Sequence, residues 1–200
     1  MLSRDAIADA ALDIGFEHLT LVAVAERLGV THASLYGHIS DRDDLVIAAA
    51  DRLIERAPWP EPSDDWRDYL AEQAWVLWGV AAENPGVSRA VQATGRAPKA
   101  MAAHFATMCR HLVTLGFSPE HALLAGDTVF DLAADSSDQT VELRNRSDEE
   151  RRALAEDWSI PLDEPGLAST MFEAFTGEPS VWFGRKLDLV LAGIEARLAP

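Results

Sequence analysis

The chain has little cysteine and little lysine, and it has no long apolar run. Cys109 is the only cysteine, so no internal disulfide can form, and a cysteine-based zinc framework is excluded. Of its 17 basic residues only Lys99 and Lys186 are lysines, so the positive charge is almost entirely guanidinium. No stretch approaches the ~20 consecutive apolar residues that a membrane-spanning helix needs. The first residues carry Asp5 and Asp9, where a secretory signal would have a basic flank and an apolar core. A cytoplasmic protein with no membrane partner is expected. A phosphate-cradling glycine loop, a nucleophile elbow and a paired metal-histidine motif are also missing. The reading is therefore of a non-enzyme, with no catalytic residue, cofactor or metal assigned.

What is present is ample for folding: 200 residues with 48% hydrophobic content can build one good core, or a small module fused to a larger one. Acids dominate, giving a formal net charge of -16. That charge argues against nucleic acid as a partner, because such affinity rests largely on basic side chains displacing counterions from phosphate. The imbalance is also local, since residues 1 to 56 hold five arginines against ten acids. DNA binding by such a module must rest on a few well-placed donors and helix termini, with weak affinity for random sequence.

Helix-forming residues dominate and no sustained period-2 alternation occurs, so an all-α fold is expected. Ser3 caps a first helix that Gly15 stops, and Thr20 caps a second that runs through Leu28 to Gly29. Thr31 caps a short third helix from His32 to His38, and Ser40 or Asp41 caps a fourth reaching about Arg56. Three prolines within residues 58–62 bar any helix there, which divides the chain into domains 1–57 and 58–200. Further helices are expected over 64–83, from about Pro98 to Leu115, from Ser118 to about 140, and from Ser180 to Leu198. The polar stretch 142–165, ending in two prolines, reads as a mobile loop or a frayed helix.

Residues 20–39, Thr-Leu-Val-Ala-Val-Ala-Glu-Arg-Leu-Gly-Val-Thr-His-Ala-Ser-Leu-Tyr-Gly-His-Ile, meet the physical requirements of a helix-turn-helix. Ala25 is small enough for close helix approach, Gly29 can take the positive φ of the tight turn, and Val24, Leu28, Val30 and Leu35 can bury between the two helices. In such a pair the second helix presents its N-terminal residues to base edges in the major groove, here Thr31, His32, Ala33 and Ser34. A purely structural helix pair is the alternative reading.

The run Leu-Gly-Val-Thr-x-Ala-Ser-Leu-Tyr-Gly-His-Ile followed by Asp-Arg-Asp-Asp-Leu resembles the signature of the tetracycline-repressor (TetR) family of bacterial regulators. The tail is similar as well, in Met171-Phe-Glu-Ala-Phe, Glu178-Pro-Ser-Val-Trp-Phe-Gly184 and Gly193-Ile-Glu-Ala-Arg-Leu198. The resemblance implies a homodimer that grips double-stranded operator DNA through its N-terminal module. It also implies a C-terminal antiparallel helical domain that dimerises and binds a small-molecule effector, releasing the operator. Thr20, Thr31, His32, Ala33, Ser34, Tyr36, Gly37, His38 and Arg42 form the candidate DNA-contacting set, with Tyr36 and His38 on the backbone. At Arg42 a cation and a helix N-terminus can share one phosphate. Val22 departs from the pattern, standing where an arginine contacts a base, so the operator must differ.

By the same resemblance the helices at 118–134 and 183–198 pair with their two-fold copies; burial within one subunit is the alternative. A ligand pocket is expected between helices 64–83, 98–115 and 118–140. There Trp75, Trp78, Phe105, Met108 and Phe130 would supply apolar surface, and Gln73, Arg96, His104, Asp127 and Asp131 the polar contacts. Each of these side chains also has an ordinary role as core or solvated surface. Asp127, Asp131 and Asp135 align along one stripe and read as a solvated face, or as a preference for a cationic ligand or for arginines across a dimer. For a tetracycline-metal chelate the resemblance implies a histidine near Val91 or Gln92 and an acid near Gln139; both are missing, so that ligand is not expected. A DNA-incompetent adaptor or ligand-binding protein of the same fold is the alternative function.

Overall fold

The computed structural model describes residues 1–161 and 164–200, and every regular element among them is helical. In chain order these are α1 (Arg4–Ile14), a 3-10 turn (Phe16–His18), α2 (Leu21–Leu28), α3 (His32–Leu35), α4 (Arg42–Arg56), α5 (Trp66–Glu83) and α6 (Val87–Thr94). Then follow α7 (Lys99–Thr114), α8 (Pro119–Arg144), α9 (Asp148–Ser159), α10 (Pro165–Thr176) and α11 (Pro179–Arg197). No helix among the described residues is long and apolar enough to cross a membrane.

The starts of the helices follow from local chemistry. Ser3, Thr20, Thr31, Asp41 and Ser118 each place a side-chain oxygen on the backbone N–H three residues on, satisfying donors that the first turn leaves free. Asp41, and not Ser40, caps α4. Pro119 occupies the first position of α8, where its missing N–H costs nothing. Gly29 closes α2 in the left-handed region at φ 65°, and the chain turns there into α3.

Two hydrophobic clusters result. The first is built mostly from small residues of α1, α2 and α4, with Ile7, Ala8, Ala11, Val24, Ala25, Leu35, Leu45 and Ala49 all buried. Its alanines let the α1 and α4 backbones approach closely. The second joins α5, α7, α8 and α11 around Leu70, Trp78, Met108, Leu112, Val129, Phe130, Phe183 and Leu191. At Gly126 of α8 a Cβ would lie 2.6 Å from Met108 Cε and 3.2 Å from Phe105 Cε2, so the absence of a side chain sets how near α7 can come. The two clusters are bridged by α4. Val87, Ala90 and Val91 of α6 pack on the first cluster, and Asp51 of α4 accepts a 2.8 Å hydrogen bond from Ala100 N in the first turn of α7.

Three expectations are corrected. The third helix stops at Leu35, and Tyr36 and His38 continue only in turn hydrogen bonds to Ala33 and Leu35. Between Gly86 and Gly95 lies α6, hidden because none of its residues is fully buried. The stretch 142–165 is largely helical: α8 continues to Arg144, and α9 opens with a Ser147/Glu150 capping box and three first-turn acids. Its polar composition reflects a narrow contact, since Ala155 is its one fully buried residue while Arg151 donates to the carbonyl oxygens of Phe175 and Gly177. Of that stretch, residues 162 and 163 lie outside the described residues.

Candidate functional site

The helix-turn-helix residues occupy one exposed face. Leu35 and Ile39 anchor it from beneath, buried in the first cluster, while Thr31, His32, Ala33, Ser34, Tyr36, Gly37 and His38 all reach solvent. Thr20 and Arg42 are exposed as well, one capping α2 and the other opening α4. Thr31 Oγ1 lies 2.7 Å from Ser34 Oγ, and the His32 and Tyr36 rings meet edge to face at 5.1 Å. These short contacts fix side chains that would otherwise lose rotamer freedom on meeting a surface. Tyr36 is 51% exposed and Val22 55%, unusual for large apolar groups with nothing to cover them.

Four of the five arginines of this module are paired with its own carboxylates. Arg4 meets Asp44 at 2.6 Å, Arg27 meets Asp13 at 2.6 Å, and Arg52 and Arg56 meet Asp9 at 2.9 and 2.6 Å. Asp44 also accepts from Ser40 N, and chiefly its bond to Arg4 draws its pKa from 3.8 to about 2. Arg42 alone of the five arginines has no carboxylate partner among the described residues. Sequence spacing could not reveal this economy, because the partners stand 14 to 47 residues apart.

Behind α4 lies a cavity of about 240 Å³. Ala50, Leu53 and Ile54 of α4 form one wall, Leu77, Val80 and Ala81 of α5 another, and Val87, Ser88, Val91 and Gln92 of α6 a third. Pro98, Met101, Phe130, Asp131 and Ala134 complete it. Its lining is almost entirely apolar, with Asp131, Gln92 and Ser88 as the polar exceptions. Partial desolvation, then the neighbouring Asp127 and Asp135, raise the pKa of Asp131.

Of the ten residues expected at a pocket, Phe130 and Asp131 line this cavity. Gln73 is buried, with Oε1 2.7 Å from His104 Nε2, and His104 stacks on Trp59 at 3.8 Å. Burial lowers the pKa of His104, favouring the neutral imidazole that donates to Gln73. Trp78 stacks on Phe183, Met108 is fully buried, and Phe105 packs against Phe130. Trp75, Arg96, Asp127 and Asp135 are exposed. The walls supplied by α4 and α6 went unread in the sequence. The signal was the apolar spacing of Val87 and Val91, in a segment too short to stand out.

The comparisons agree with this architecture. No family model matches the chain. It is 29% identical to the class C tetracycline repressor protein of Escherichia coli, over 97% of this chain and 91% of that protein. An HTH-type transcriptional regulator of Saccharopolyspora erythraea is 28% identical, over 98% of this chain and 86% of its own length. Among solved structures, the TetR family protein ActR of Streptomyces coelicolor, in complex with actinorhodin, shares the fold with a TM-score of 0.80 at 21% identity, over 98% of this chain and 97% of that one. The helix-turn-helix motif, the all-helical body behind it and the near full-length similarity point the same way: the chain is similar over almost its whole length to transcriptional regulators of the tetracycline-repressor type and shares the fold of TetR family proteins.

Proposed function

We propose that the protein is a ligand-responsive repressor. In this reading residues 1–57 bind DNA and residues 58–200 dimerise and sense, so that a homodimer reads a palindromic operator and leaves it when a small apolar molecule enters the α4–α8 cavity. The observation that carries the reading is Arg42: an arginine without a carboxylate partner among the described residues, exposed at the N-terminus of α4, the helix that follows the exposed Thr31, Ser34, Tyr36 and His38. The other four arginines are engaged with carboxylates of the module, which leaves Arg42 as its arginine available to a phosphate.

Dimerisation supplies the geometry, because two recognition helices must sit one DNA turn apart, about 34 to 36 Å. The outward face of α11 supports it, with Leu189 76% exposed beside Ala192, Gly193 and Ala196, small enough for a second helix to approach. The route from ligand to DNA is α4 itself, whose Ala50, Leu53 and Ile54 face the cavity while Arg42 faces outward and Asp51 ties it to α7. A ligand favouring one α4 position by ~1 to 3 kcal/mol couples the two sites.

The test begins by selecting bound fragments from genomic DNA, then measures affinity for the selected operator against salt. Arg42→Ala should weaken binding about tenfold or more, and flatten the salt dependence by about one phosphate contact per subunit, with thermal stability unchanged. An adaptor that kept the fold is the second reading, favoured by the ten acids of the module and by exposed Val22. Lack of sequence preference at every salt concentration, with Arg42→Ala silent, would establish the adaptor and overturn the repressor.

A further inference from the structure

A larger cavity, of about 360 Å³, lies on the far side of α8, enclosed by α8, α9, α10 and α11. It shares no lining residue with the α4–α8 cavity. Its volume falls within the ~300 to 1,000 Å³ of small-molecule sites. We infer that it is a second ligand site, for a small planar aromatic carboxylate, formed by Phe175, Trp182, Phe183, Ser136, Arg146 and Lys186.

Three independent features select that chemistry. Three of the apolar lining residues are aromatic, Phe175 of α10 and Trp182 and Phe183 of α11, and aromatic side chains favour a flat ring in offset or edge contact. Arg146 and Lys186 outnumber the single carboxylate of the lining, Glu142, in a protein where acids outnumber bases 33 to 17. Neither cation makes an ion pair among the described residues; Lys186 Nζ donates only to the neutral Gln139 Oε1, at 3.2 Å. Ser136 of the lining is 5% exposed, and its own buried Oγ has no hydrogen-bond partner, which leaves an unmet donor beneath the cavity wall. The two unpaired cations, with the unmet donor of Ser136, supply anion-accepting groups, and the aromatic and aliphatic side chains supply the apolar part of the lining.

Titration calorimetry of the full-length protein with 2-naphthoic acid tests this, with the neutral 2-naphthalenemethanol as its partner probe. No DNA is present, so the result is independent of the repressor reading. Saturable binding of the acid, with the alcohol at least about tenfold weaker, is expected. Arg146→Gln with Lys186→Gln should weaken the acid about tenfold and leave the alcohol unchanged. Ala174→Trp, which fills the cavity, should abolish binding, and Val91→Trp in the other cavity should leave it intact. The inference is overturned by any of three results: no saturable binding, acid and alcohol bound alike, or loss caused by Val91→Trp with the two-cation variant unaffected.

Discussion

The first 56 residues and the helical body behind them satisfy their polar groups in opposite ways. In the first cluster the capping hydroxyls are bonded, four of five arginines are paired, and the core is packed from alanines and aliphatic side chains. In the body the core is aromatic, and Gln73 Nε2, Trp78 Nε1 and Ser136 Oγ are buried without partners. Buried groups left unpaired cost free energy that a ligand or a shifted helix can recover. Under the proposed function, a DNA-binding module needs one fixed shape, whereas a sensing domain needs groups that something else completes.

The comparison can be broken first at Leu35, which is 0% exposed and holds α3 in place. Leu35→Ala should cost about 2 to 5 kcal/mol, read by urea unfolding, because the dense first cluster cannot collapse around the void. A loss below ~1 kcal/mol would mean that the module is looser than its packing implies.

A smaller effect is expected where α1 meets α4. Asp44 has a folded-state pKa of about 2, below its ordinary value of 3.8, because its carboxylate is held by Arg4 and Ser40. A depressed carboxylate pKa stabilises the fold above the unfolded value, and the contribution is lost as pH falls from about 4 through about 2. Because Arg4 is 43% exposed and partly screened, Asp44→Asn should cost about 1 to 2 kcal/mol at neutral pH, and it should remove that part of the acid dependence. Unfolding curves from pH 2 to 7 that superimpose for both proteins would sink the assignment.

The smallest pair sharpens the comparison most directly, since it deletes a hydroxyl from each region. Thr20→Ala removes a cap bonded to Ala23 N and should cost about 1 kcal/mol. Ser136→Ala removes an orphan and should be neutral or slightly stabilising, within about 1 kcal/mol, by thermal denaturation. Equal losses at the two sites would erase the distinction.

Much of the N-terminal module was legible in advance because its determinants are local. A cap acts on the residue three positions on, and Gly29 acts on its own φ, so Thr20, Thr31 and the turn between them announce themselves within a few residues. The body was less legible. Helix α9 hides behind a charged composition because it buries little more than Ala155, and α6 because it packs on elements distant in the chain, α4 and the 3-10 turn at Phe16–His18. Gln73 and His104, both plausible ligand contacts in isolation, bond to each other across 31 residues.

By itself the sequence determined the all-helical fold, the starts of α1 to α3 and of α8, and the exposed residues of the helix-turn-helix. Each depends on propensity, capping or period within one or two turns. Tertiary structure decided which arginines are neutralised, which helices wall the two cavities and which buried polar atoms remain alone. Those outcomes depend on distances between residues far apart in the chain, and a carboxylate neutralises a guanidinium only when folding brings the two within a few ångströms.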